Sequence, residues 1–120
     1  MHAMADDLFE VSPAGPVRVI RLLLPETLDS AEFERLNDSL LTLLAEQPAG
    51  AWVLDLSHLS YAGSSVLGLF VNVRQRVKQG GGRLVLCGLS ERLLQIFRTC
   101  SLERLFVIRR TEAEAIDRAR

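Results

Sequence analysis

The chain has 120 residues, 48% hydrophobic and 24% charged, with a formal net charge of −1 at pH 7, which suits one globular domain and excludes a disordered chain. Without a basic excess, a nucleic-acid partner and a polybasic membrane patch are both disfavoured. No apolar run reaches the length of a membrane span, and Asp6, Asp7 and Glu10 stand where a secretory leader would be cationic, so a cytoplasmic location is expected.

Residues 1–7 read as a flexible N-terminus, with Met4 as an alternative start, and residues 8–120 as the domain. Leu8 to Val11 and Val17 to Leu24 read as a two-stranded hairpin across the turn-forming stretch Ser12-Pro13-Ala14-Gly15-Pro16. Pro25 stops the second strand. Asp29 and Ser30 offer a cap for a helix that carries Phe33, Leu36, Leu40, Leu43 and Leu44 at helical spacing and ends before Pro48-Ala49-Gly50. Ala51 to Leu56 is a short apolar run that holds one acid, Asp55, and reads as a buried strand. After a loop from Ser57 to Gly63, a helix runs from Ser64 to about Gln79, where Gly80-Gly81-Gly82 breaks it. Arg83 to Cys87 is the next strand, Ser90 caps the next helix, Leu105 to Ile108 form a last strand, and Thr111 with Glu114 makes a capping box for a last helix. The order is β-β-α-β-α-β-α-β-α, an α/β pattern with parallel neighbours and right-handed crossovers.

In the helix from Ser64, the residues Val66, Leu69, Phe70, Val73 and Val77 form one stripe, while Leu67 and Val71 lie off it in line with Arg74 and Lys78. Either the stripe is wide enough to bury both, or the two stand partly exposed beside Ser64 as a docking patch. Cys87 reads as a small buried hydrophobe and Cys100 as the end of a helix. With His2 and His58 as the only histidines, no metal-ligand set appears and no cofactor is expected.

The segment Val53-Leu54-Asp55-Leu56-Ser57-His58-Leu59-Ser60-Tyr61-Ala62-Gly63-Ser64-Ser65-Val66-Leu67-Gly68 resembles the STAS-domain signature of the anti-sigma factor antagonists. In that family an apolar strand ends in aspartate, and a short loop leads to an Asp-Ser-Ser/Thr-Gly-Leu turn that opens a helix. Pro25-Glu26-Thr27-Leu28-Asp29 loosely resembles the family's Gly-x-Leu-Asp stretch. The resemblance covers residues 8–120 and implies a single STAS-like domain: a mixed sheet with helices packed mainly on one face. It also implies a regulatory protein, not an enzyme. The serine aligned with Ser64 is the one phosphorylated by a partner that is both a serine kinase and an anti-sigma factor. Unphosphorylated antagonist binds that partner, whose own site holds ATP, and releases the sigma factor. Transferred to this chain, Ser64 is the acceptor, with Ser65 as the lesser candidate, and Asp29, Asp55, Gly63, Ser64, Ser65, Leu67 and Val71 are the expected partner contacts.

Two residues depart from the pattern: Gly63 replaces the aspartate and Val66 the glycine. This keeps open a second reading, a phosphorylation-independent STAS adaptor in a larger signalling or transporter-associated complex. Residue type alone offers a plainer reading of Ser64 and Ser65 as helix caps, of Asp29 as an N-cap, of Asp55 as an acceptor for backbone donors, and of Arg109-Arg110 as a solvated strand end. Catalysis has little support. Ala62-Gly63-Ser64-Ser65-Val66 is not a Gly-x-Ser-x-Gly elbow, and Leu69-Phe70 stand where a phosphate-binding loop needs Lys-Ser/Thr.

Overall fold

Five strands and four helices follow the expected order in the computed structural model, which describes residues 8–120: β1 (Phe9–Ala14), β2 (Val17–Leu22), α1 (Ser30–Glu46), β3 (Ala51–Asp55), α2 (Ser64–Gln79), β4 (Arg83–Cys87), α3 (Glu91–Thr99), β5 (Val107–Arg109) and α4 (Glu112–Ala119). The expectations for residues 1–7, His2 among them, lie outside the described residues. The strands lie in the order β1-β2-β3-β4-β5, with β1 antiparallel to β2 and the other neighbours parallel.

That order explains where the helices go. From β2 to β5 the chain advances across the sheet in one direction, so crossovers of constant hand place their helices on the same face. The main core joins residues of α1, α2 and α3 to Ile20, Leu22, Trp52, Leu54 and Leu86 of the sheet. α4 follows the last strand with no crossover to complete, and it covers the opposite face. There Ala115 and Ala119 pack on Val17, Val19, Val53, Val85 and Cys87. Neighbours along β3 and β4 divide between the two clusters, as side chains alternate across a pleated sheet. Cys87 and Cys100 are free thiols, the first buried and the second exposed. Burial pushes the Cys87 thiol up to about 12, and the nearby Asp55 and Glu112 charges add to the rise.

Strand boundaries differ from the sequence expectation: β2 stops at Leu22 rather than Leu24, β3 stops at Asp55 rather than Leu56, and the ends of β1 and β5 move further. β1 runs on to Ala14, and the hairpin closes through Gly15-Pro16 alone, with Gly15 at φ +65°, the positive φ that a two-residue hairpin turn requires. Pro13 is tolerated because β1 is an edge strand, where a missing N–H leaves no ladder bond unmade. Near the other end, Ser101 turns left-handed at φ 59° and Leu102–Arg104 form a 3₁₀ turn. The chain spends Leu105 on leaving that turn, so β5 begins at Val107 rather than Leu105.

Candidate functional site

β3 delivers the chain to the site, and α2 carries it away. Leu56 N–H donates to the Cys87 carbonyl (2.9 Å) and Leu59 N–H to the Leu56 carbonyl (3.0 Å), which turns the loop over the end of the sheet. Leu59 and Ala62 are buried under it, while Tyr61 is 55% exposed with Arg92 5.3 Å from its ring centre. α2 then starts at Ser64.

The four helices start differently. Asp29 caps α1 through the Glu32 amide, Ser90 caps α3 through the Leu93 amide, and Thr111 caps α4 through the Glu114 amide. The N-cap of α2 is Gly63, which has no side chain to offer. Its carbonyl accepts the first helical bond, from Leu67 N–H at 3.0 Å, and the amides ahead of Leu67 have no partner inside the helix. Ser64 and Ser65 occupy the first two helical positions, and both are exposed. The capping reading of these serines therefore fails, because the cap position belongs to the residue before them. The capping reading of Asp29 holds, and the Asp29 N–H donates in turn to Glu32 Oε1 at 3.0 Å.

Asp29, Gly63, Ser64 and Ser65 meet across one open cleft of about 540 Å³, between the segment joining β2 to α1 and the start of α2. Its apolar surface includes Leu24, Leu28, Phe33, Leu59 and Val66. Its charged lining is Glu26, Asp29 and Glu34, with no cation among the lining residues. Leu67 and Val71 lie farther along α2, half-buried and packed against the main core. Each of the pair thus contributes to the core and keeps an outward surface. The sequence expectation puts Phe33 only on the apolar face of α1, and it puts neither Tyr61 nor the Glu26–Glu34 rim in the site. A lone aromatic in a polar loop is the one signal that marks Tyr61.

Asp55 is not part of this surface. It is 5% exposed, its Oδ1 accepts from the Ser57 amide at 2.9 Å, and its Oδ2 lies 3.4 Å from Arg21 Nε. Arg21 also reaches Glu112 of α4 (2.6 Å) and Glu10 of β1 (2.9 Å), so one guanidinium ties three strands to the last helix. These bonds, first to Glu112 and then to Glu10, raise the Arg21 pKa. Gly88 passes so close that a Cβ there would meet Asp55 Oδ1 at 2.9 Å, and its φ is +75°. Burial opposes ionisation of Asp55, but the bonds from Ser57 and the charge of Arg21 outweigh it, so the carboxyl lies below its ordinary value.

A pH dependence follows. With the folded value below the unfolded one, ionised Asp55 stabilises fully above the ordinary carboxylate pKa, about 3.9, and that contribution is lost as pH falls through the lowered value. Urea unfolding at a series of pH values should show Asp55→Asn less stable at pH 7 and less sensitive to acid. An unchanged acid limb would mean that the carboxylate contributes nothing.

Among the described residues no group of three His, Cys, Asp or Glu side chains could hold a metal ion, and no helix is long and apolar enough to cross a membrane. His58 is exposed, with Nδ1 3.4 Å from Ser57 Oγ.

Comparison with known proteins agrees with this geometry. The family model described as STAS domain matches residues 14–115. The chain is 38% identical over 61 residues to the anti-sigma-B factor antagonist of Listeria monocytogenes, covering 51% of this chain and 54% of the relative. It is 42% identical over 65 residues to the anti-sigma-B factor antagonist of Bacillus subtilis, covering 54% and 59%. The aligned part thus spans little more than half the length of these relatives. In three dimensions the chain superposes on the Bacillus cell fate determinant SpoIIAA in its phosphorylated form with a TM-score of 0.66 and 26% identity, over 93% of this chain and 99% of that one. A protein from Thermotoga maritima superposes with a TM-score of 0.80 at 20% identity, over 98% and 97%, a likeness of fold.

Proposed function

The chain belongs to the STAS domain family, and from that premise we propose that it is an anti-sigma factor antagonist: a non-catalytic cytoplasmic module that docks onto an anti-sigma factor with serine-kinase activity and is switched by phosphorylation of Ser64. ATP belongs to the partner's site. The observation that carries the reading is the exposed Ser64 hydroxyl in the first turn of α2, beside a cap residue that leaves the helix amides unclaimed. The names of the curated relatives support the antagonist role, and the likeness to a phosphorylated SpoIIAA supports a switch.

The chemistry fits the place. A phosphate at a helix N-terminus gains hydrogen bonds and a favourable dipole, about 0.3–1 kcal/mol per charge at an exposed site. Modification therefore leaves the fold intact and acts on the docked partner, by adding roughly −1.5 to −2 units of charge to the contact surface. With only Glu26, Asp29 and Glu34 as charged lining, the cleft has no cation of its own to neutralise that charge. Asp29, Gly63, Ser65, Leu67 and Val71 supply the surrounding contact, and Asp55 acts from below by holding the Ser57 end of the loop.

The surface is tested by Val71→Glu. Half-buried Val71 accepts a carboxylate at its outer edge, so the variant should keep its circular dichroism spectrum and cooperative unfolding while losing partner binding in calorimetry. Aggregation of the variant would assign Val71 to the core alone, and retained binding would remove it from the surface.

Gly63 in place of the family aspartate favours a second reading, a STAS adaptor in a larger signalling or transporter-associated complex that binds without phosphorylation. A charge at position 64 separates the two.

A further inference from the structure

Strands β2 to β5 run parallel, and Ser64 follows the C-terminal end of β3. At the opposite end of the sheet, where β4 and β5 begin, a cleft of about 190 Å³ opens between α2, the start of β4, the approach to β5 and the end of α4. Its charged lining is Arg74, Lys78, Arg83 and Arg118, and no carboxylate lines it. Leu84, Leu105 and Phe106 supply apolar wall, Leu105 being 40% exposed.

Arg74, Lys78 and Arg118 are poorly compensated. Arg74 Nε donates to the Leu105 carbonyl at 2.7 Å, which fixes the guanidinium without neutralising it. Arg83 differs, since it donates to the Ala119 carbonyl and to an oxygen of Arg120, the last residue. Lys78 and Arg118 make no ion pair among the described residues. A cation in the last turn of a helix is ordinary, and this accounts for Lys78 in α2 and Arg118 in α4 taken singly. It does not account for Arg74, a turn earlier. Nor does it explain why ten lining residues hold four bases and no acid, in a chain with 15 acids and 14 bases.

We propose that this cleft binds a small organic anion, a carboxylate or phosphate carried on a short apolar body. Converging like charges repel until a counter-anion enters, and arginine forks suit both oxyanions. The apolar wall beside them takes the body of the ligand. The volume lies below the roughly 300–1,000 Å³ of sites for drug-sized ligands, which suits a body of about one ring. The site is remote from Ser64 and independent of the function proposed for it.

Amide NMR titrations of the full chain with phenyl phosphate, benzoate and neutral phenol test the assignment. Saturable shifts at Leu84, Val85 and Leu105–Val107 with both anions, absent with phenol, are expected. The double variant Lys78→Gln, Arg118→Gln should keep a dispersed spectrum and bind the anions about five- to tenfold more weakly. The proposal is overturned by shifts that never saturate, by equal shifts around the exposed Arg109-Arg110 pair, by phenol binding as tightly as the anions, or by an unchanged affinity in the double variant.

Discussion

Phe97→Ala is expected to destabilise the domain by about 3–5 kcal/mol, a large share of the roughly 5–15 kcal/mol that holds a typical domain folded. Phe97 is fully buried, its ring centre 6.1 Å from that of Phe70 and 5.7 Å from that of Phe106. One side chain thus joins α3 to α2 and to the segment that enters β5. Truncation leaves a cavity bounded by two rings, one held in α2 and the other buried at the entry to β5, so collapse recovers little of the loss. Urea unfolding should show a much lower midpoint with a similar slope. Leu105→Ala, at an exposed position in the same region, should stay within about 0.5 kcal/mol of wild type. If both variants cost the same, Phe97 does not anchor the core.

The largest functional effect is expected at Ser64. Ser64→Glu should weaken partner binding by at least about a hundredfold, roughly 2.7 kcal/mol, while Ser64→Ala binds as wild type does. On the proposed docking a partner covers this position, so the new carboxylate would lose its water in a cleft already lined by Glu26, Asp29 and Glu34, and an unpaired buried charge costs several kcal/mol. Both variants should unfold as wild type does, because position 64 is exposed and no side chain caps α2. Calorimetric titration of the anti-sigma partner with each variant reads the difference. Equal affinities for the two variants would support the phosphorylation-independent adaptor instead.

Where local chemistry decides the structure, the sequence is readable. α2 and β4 fall at the expected residues because three consecutive glycines leave no ambiguity about where the helix stops. The capping boxes at Asp29 and Thr111 are likewise local patterns, completed within four residues. Other features depend on neighbours far along the chain. Pro13 marks a turn unless β1 is known to be an edge strand, and only the sheet order reveals that. The 3₁₀ turn at Leu102 rests on one left-handed serine, a choice that serine does not advertise. The Ser64 cleft unites residues 24–34 with residues 59–66 through the parallel pairing of β2 with β3, so its acidic rim cannot be seen in either segment alone. Asp55 shows the same limit. Its position at a strand end is plain, but its burial beside Arg21 needs Glu10, Glu112 and Gly88, three residues from separate parts of the chain.

One measurement shows most directly whether the α2 N-terminus is a phosphate-switched docking point. The purified chain is incubated with its cognate kinase and ATP, the modified residue is mapped by mass spectrometry, and the affinity of each form for that kinase is measured. The expected result is one phosphate, on Ser64, and at least a hundredfold weaker binding of the modified form. A protein that binds tightly yet takes up no phosphate, or one whose affinity is unchanged after Ser64 is modified, would contradict it.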